Sequence, residues 1–252
     1  MSGHSKWKTI QHKKGALDAK RGKIFSKLSK EIMVVVKHGG PNPEMNATLR
    51  NIILKARSFN MPADNIDRAI KRGSGETDGV VMHEVVYECY AAGGVGVIVQ
   101  VLTDNKNRAA AEIRHIFQKY GKDFATQGSV SRGFKRRGQI LVDPAGVDED
   151  KLMSIVLDAG AEDMQRDDGP FEILCDPATL SQVVKAIEDA GLKTASAEVA
   201  LVPDTYVPIA DKSAASQLLK FVNDLEDNDD VQNVYTNMDI GDEILAEIEK
   251  SG

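Results

Sequence analysis

The sequence predicts an α+β protein. An N-terminal three-helix bundle is followed by two α/β domains, and the last, a ferredoxin-like βαββαβ unit, is inserted into the middle one. Three observations predict this. Helical apolar spacing fills the first third of the 252-residue chain and gives way near residue 80 to strand-like runs. Residues 138–202 contain a repeat of strand, Asp-Pro-Ala, helix, Asp-Ala-Gly, strand. The β-β-α segment before that repeat and the β-α-β segment after it are each too short to complete a sheet alone.

Residues 1–15 (MSGHSKWKTIQHKKG) have no apolar period and read as a flexible basic arm. The bundle occupies 16–79. Its first helix spans about 16–37, with Leu17, Ile24, Leu28, Ile32 and Val35 on one stripe and Lys20, Lys23, Lys27, Lys30 and Lys37 across from it. Gly39-Gly40 stops it. Asn42-Pro43 is expected to open the second helix, with Met45, Leu49, Ile52 and Ala56 facing inward. The third runs from Pro62 to Gly73, with Ile66, Ala69 and Ile70 on its apolar face. Ser74–Gly79 is a polar linker.

Strands are expected at about 82–90 and 95–102, joined through Gly93-Gly94, whose missing side chains permit positive φ. Thr103-Asp104-Asn105 caps a helix bearing Ile113, Ile116, Phe117 and Tyr120. In the repeat, strands at 139–142 and 171–175 each lead into Asp-Pro-Ala (143–145 and 176–178), expected to open a helix. Gly160 and Gly191 close those helices, and Asp167-Asp168-Gly169-Pro170 turns one unit into the next. Two βαβ units joined by a hairpin make the split βαβ fold. A strand near 206–209, a helix over 211–225 and a strand near 231–235 follow. They are expected to join 80–130 in one domain, made of 80–130 and 203–239. Residues 240–252 form an acidic helical tail.

The net charge of −6 hides an asymmetry. Residues 1–37 carry ten Lys/Arg against Asp18 and Glu31, a net of +8, whereas 139–252 carry a net of −19. A basic front and an acidic back suit a polyanionic partner at one end and a protein partner at the other. No apolar run approaches the ~18 residues of a membrane span, so no membrane partner is expected. The polar, basic start does not read as a secretory signal. Cys89 and Cys175 lack zinc or redox spacing, which fits a reduced, cytoplasmic protein.

Catalytic and metal-binding patterns are missing. The five histidines are scattered without i, i+4 spacing or acidic company. Gly93-Gly94-Val95-Gly96 lacks the Gly-Lys-Ser/Thr of a phosphate loop, and Asp227, Asp229 and Asp230 lack the order of a calcium loop. Neither cofactor, metal nor enzyme activity is expected. Four basic features remain as nucleic-acid candidates. Lys6, Lys8, Lys13 and Lys14 surround Trp7, the only tryptophan, and combine phosphate-binding charge with a ring that can stack on a base. Lys20, Arg21, Lys23, Lys27 and Lys30 extend that surface along the first helix. Arg132, Lys135, Arg136 and Arg137 form a basic junction into the inserted unit. Lys106 and Arg108 lie at a helix N-terminus, where free N–H groups favour anions, although capping by Asp104 or Asn105 is the simpler account of the segment.

Gly3-His4-Ser5-Lys6-Trp7, the run Gly22 to Leu28, Asn60-Met61-Pro62 with Asn65-Ile66, Leu102 to Arg108 (LTDNKNR) and Asp227 to Tyr235 together resemble the YebC family over essentially the whole chain. The resemblance implies three domains, a helical bundle and two α/β domains with one inserted into the other. It implies no cofactor and no catalytic activity. It implies a DNA-binding transcriptional regulator, or alternatively a ribosome-associated translation factor, since mitochondrial relatives are translational activators. The chain departs from the family pattern at Tyr87 to Ala92, Gly121 to Phe124 and Ser131 to Phe134.

Overall fold

The structure, a computed structural model, describes residues 17–75, 82–166 and 169–251. In chain order, α1 (Leu17–Gly39), α2 (Ala47–Ser58) and α3 (Ala63–Ser74) precede β1 (His83–Tyr90), β2 (Gly96–Thr103) and α4 (Lys106–Lys119). The repeat supplies β3 (Phe134–Val142), α5 (Glu149–Asp158), β4 (Ala161–Gln165), β5 (Phe171–Cys175), α6 (Leu180–Asp189) and β6 (Thr194–Pro203). The chain continues through β7 (Val207–Ile209), α7 (Lys212–Glu226), β8 (Val231–Thr236), β9 (Met238–Ile240) and α8 (Asp242–Ser251). These elements form two compact units, one from 14–79 and 136–201, the other from 80–135 and 202–252.

In the first unit, α1, α2 and α3 share a core that includes Leu28, Ile32, Val36, Leu49, Ala56 and Ile66. The second helix starts later than Asn42-Pro43 suggests. The Asn42 side chain accepts the Glu44 N–H and closes a turn, and Asn46 caps α2 by accepting the Leu49 N–H at 3.1 Å. Asn46 also donates to Val35 O and Gly40 O, tying the start of α2 to the end of α1. Met45 therefore precedes the helix and is 86% exposed rather than inward-facing. Gly73 lets α3 approach α1: a Cβ there would lie 2.8 Å from Met33 O and 2.9 Å from Val36 Cβ.

The repeat forms a four-stranded sheet in the order β4-β5-β3-β6, the ferredoxin-like arrangement. Ile140 of β3 and Met164 of β4 both lie opposite Ile173 of β5 in antiparallel pairings. The two Asp-Pro segments turn the chain instead of opening helices. Asp143 accepts the Ala145 N–H and Asp176 the Ala178 N–H, and the helices begin later, at Glu149 and Leu180. A carboxylate that closes a turn on the residue two ahead is no longer free to cap a helix. Gly160 and Gly191 do end the helices with positive φ. The bundle packs on this sheet domain through α2. Leu54 touches its core, Arg50 Nε donates to Ser181 Oγ, and Lys55 pairs with Glu198 at 3.1 Å with both side chains nearly covered.

In the second unit, β1, β2 and β8 form an antiparallel sheet with β2 in the centre, so the segments on either side of the insertion complete one another. One face of β2 presents Val97, Val99 and Val101 to the same core as Phe117 of α4 and Phe221 of α7. Gly93 and Gly94 take positive φ between β1 and β2. The tail is less detached than its acidity suggests. Met238–Ile240 pairs in parallel with β7, and Leu245 of α8 is 4% exposed against the core.

Candidate nucleic-acid interface

The arm residues Lys6, Trp7, Lys8, Lys13 and Lys14 lie outside the described residues, and Lys20 and Arg21 fall where only the backbone of α1 is described. Further along α1, Lys23 is exposed while Lys27 and Lys30 are half-buried. The lysines thus do not form a wholly solvated stripe. Of the expected apolar stripe, Leu28 and Ile32 are buried while Ile24 and Val35 are half-buried; Val34 and Val36 are buried instead, because α1 packs against both other helices, and lysine stems cover part of the margin.

At the start of α4, Asn105 accepts the N–H groups of Asn107 and Arg108, so the helix end is capped from within the chain. Lys106 is exposed beside it. Arg108 is held in place rather than presented. Its Nη2 lies 2.7 Å from Asp230 Oδ2 and 2.9 Å from Asp104 Oδ1, and its Nε lies 3.7 Å from Glu112. The hydrogen bond and charge of Asp230 raise the Arg108 pKa further above its ordinary value. Thr103 Oγ1 donates to the same Asp230 oxygen at 2.9 Å. Asp230 of the 227–230 loop is thus buried and anchors the start of α4.

The basic junction is a strand, not a linker. Lys135, Arg136 and Arg137 all belong to β3. Lys135 pairs with Asp204 at 2.7 Å and Arg137 with Glu162 at 2.5 Å, leaving Arg136 as an exposed position between them. Arg132 sits in the 3-10 turn Ser131–Gly133, exposed, with its Nε donating to Gly128 O at 3.0 Å.

What shapes the Arg132 turn is Glu88, which sequence reasoning passed over. It is a buried carboxylate on β1, 2% exposed. It accepts the N–H groups of Gly128, Val130 and Ser131 at 2.9, 2.7 and 3.2 Å, while its own carbonyl accepts the Ala125 N–H. Burial pushes its carboxyl up, but the hydrogen bonds outweigh this and hold it below the ordinary glutamate value. Tyr90, two residues on and therefore on the same strand face, donates its hydroxyl to Ser129 O at 2.8 Å. Val130 fills the space above Gly96, where a Cβ would lie 2.6 Å from its Cγ1. The available signal was a carboxylate set between Tyr87 and Cys89, in the buried half of the strand.

Both cysteines are buried, and burial pushes the Cys89 thiol up to about 12, which suits packing rather than nucleophilic chemistry. Among the described residues, no group of His, Cys, Asp and Glu is placed to hold a metal ion, and no helix is long and apolar enough to cross a membrane.

Residues 5–76 match the TACO1/YebC N-terminal domain and residues 82–238 match the TACO1/YebC second and third domain. The chain belongs to the TACO1/YebC family. A relative from Halothermothrix orenii, named a "probable transcriptional regulatory protein", is 52% identical over 98% of this chain and 99% of its own. One of the same name from Syntrophus aciditrophicus is 49% identical with the same coverage. The TACO1/YebC fold also appears in the crystal structure of a conserved hypothetical protein from Aquifex aeolicus. That chain is 44% identical, with a TM-score of 0.82 over 94% of this chain and 97% of the other.

Proposed function

We propose that this chain is a non-enzymatic, nucleic-acid-binding regulator of gene expression, with DNA as its target, acting in the cytoplasm. The observation that carries the reading is that relatives about half identical along nearly the entire chain are named probable transcriptional regulatory proteins. Charge supports it: the net of +8 in the first 37 residues is a suitable footprint for a polyanion. In this reading the arm and α1 contact phosphates. The acidic C-terminal half stays clear of them and is open to a protein partner.

The test is crosslinking in cells followed by parallel sequencing of the bound DNA and RNA. Discrete DNA sites that disappear when residues 1–15 are deleted support the reading. Enrichment of ribosomal RNA without discrete DNA sites replaces it with a ribosome-associated translation factor. Recovery of neither nucleic acid removes both.

A further inference from the structure

We propose that the 126–132 turn is a preorganised contact for an unpaired nucleotide, with the Tyr90 ring as its stacking face and the Arg132 guanidinium as its phosphate or base contact. The proposal deepens the nucleic-acid reading above and rests on it. It names residues of the second unit, away in sequence from the basic arm.

The turn is over-determined. Three backbone N–H groups converge on the Glu88 carboxylate, and Val130 is packed above Gly96. The next turn is closed by Gly133 N–H on Val130 O, and the Asp204 N–H binds Gly133 O. A surface loop ordinarily lacks such a frame, because water satisfies its backbone. Here a buried charge does so, and the loop loses its freedom before any partner arrives.

Two side chains use this frame to face solvent. Tyr90 is 50% exposed although its hydroxyl is fixed on Ser129 O. Arg132 is exposed although its Nε is fixed on the adjacent Gly128 O. Both are thus anchored at one end to neighbouring carbonyls of one rigid turn. An aromatic ring is sequence-tolerant toward bases because every base has a π-face, and a guanidinium fork suits phosphate or stacks on a base. Stacking on the ring needs a base free of its own stack, so the occupant is single-stranded DNA or RNA rather than a duplex. The central strands of the ferredoxin-like sheet offer no such platform on the face away from its helices. There β3 and β5 carry the diagonal neighbours Gln139 and Glu172, and Gln139 donates to Glu172.

The experiment measures fluorescence anisotropy of the full chain with a labelled single-stranded 20-mer and with its duplex, in both DNA and RNA form. Arg132→Ala and Tyr90→Leu are each expected to lower the ratio of single-strand to duplex affinity about tenfold, the scale of one lost base contact. Tyr90→Phe keeps the ring and is expected to retain most of the ratio. Amide exchange at Gly128 and Val130 reports whether the turn survives in each variant. An unchanged ratio in Arg132→Ala and in Tyr90→Leu overturns the proposal. So does a Tyr90→Phe ratio as low as that of Tyr90→Leu, since the hydroxyl anchor would then matter and the ring would not. If the wild-type chain binds none of the four probes, the broader nucleic-acid reading fails and takes this one with it.

Discussion

Glu88 shows how much one residue can organise. A carboxylate in a strand is costly to bury unless donors meet it, and here three backbone donors do. Hydrogen bonds to a charged group contribute about 1.5–3 kcal/mol each, so Glu88→Gln, which turns an amide toward backbone donors, is expected to cost about 2–3 kcal/mol at pH 7 by urea unfolding. The folded carboxyl lies below its ordinary value. Its stabilisation is therefore complete above the ordinary range near ~4.3 and lost as pH falls through the lower folded value. The gap between wild type and Glu88→Gln should shrink on acidification; a widening gap would contradict the assignment. Asn60 is a second residue of this kind. It is the non-glycine residue with positive φ, +56°, among those described. Its N–H binds Arg57 O while the Met61 N–H reaches Ala56 O, which ends α2 in a Schellman motif. Asn60→Gly should leave the unfolding midpoint nearly unchanged. Asn60→Val should cost about 1–2 kcal/mol, because a branched side chain resists the left-handed region.

At the scale of elements, the bundle depends on how closely α3 lies against α1. Gly73 is a poor helix former, and replacing it by alanine would gain about 1 kcal/mol from propensity alone. The added methyl, however, would meet Met33 O and Cα, which are backbone and do not swing aside. Overpacking of this sort costs about 1–3 kcal/mol. Gly73→Ala is accordingly expected to be net destabilising, by about 1 kcal/mol or more, in urea titration followed by helical circular dichroism. A rise in the midpoint would show that α1 can move away. Between elements of the same unit, the Lys55–Glu198 pair fixes the bundle on the inserted sheet domain where Leu54 supplies the apolar contact. A nearly covered ion pair of this type contributes more to orientation than to net stability.

At the scale of the whole molecule, the proposed function rests on uneven charge. Residues 139–252 hold a net of −19 and the first 37 a net of +8, so a polyanion is attracted most strongly to the first stretch and repelled by the last. If about four to six of the lysines along the arm and α1 reach phosphates, log K should fall with log salt with a slope of about −4 to −5 on duplex DNA, and less steeply on single strands. Titrating binding from low to moderate salt measures this directly. A slope near zero would remove the arm and α1 as the interface. Because Arg108 is held by Asp230 and Asp104, Arg108→Ala should affect the stability of the α4 start and leave the slope nearly unchanged.

The sequence by itself determined what is local or periodic. The helices carrying Leu28, Ile32 and Phe117, the βαββαβ order, the hairpin at Gly93-Gly94, the helix ends at Gly160 and Gly191, and the charge asymmetry were all legible. Side-chain spacing and glycine backbone freedom act within a few residues, so they can be read directly. The starts of helices were less legible, because Asn42, Asp143 and Asp176 can close a turn or cap a helix with the same atoms. Only the tertiary structure decided which charges have partners. Arg108 and Asp230 lie 122 residues apart, Glu88 and Val130 lie 42 apart, and Lys55 meets Glu198 only where α2 packs on the sheet domain. A charge looks the same in sequence whether it faces solvent or a buried counter-charge. The difference is made by desolvation and by distances that exist only once the chain has folded.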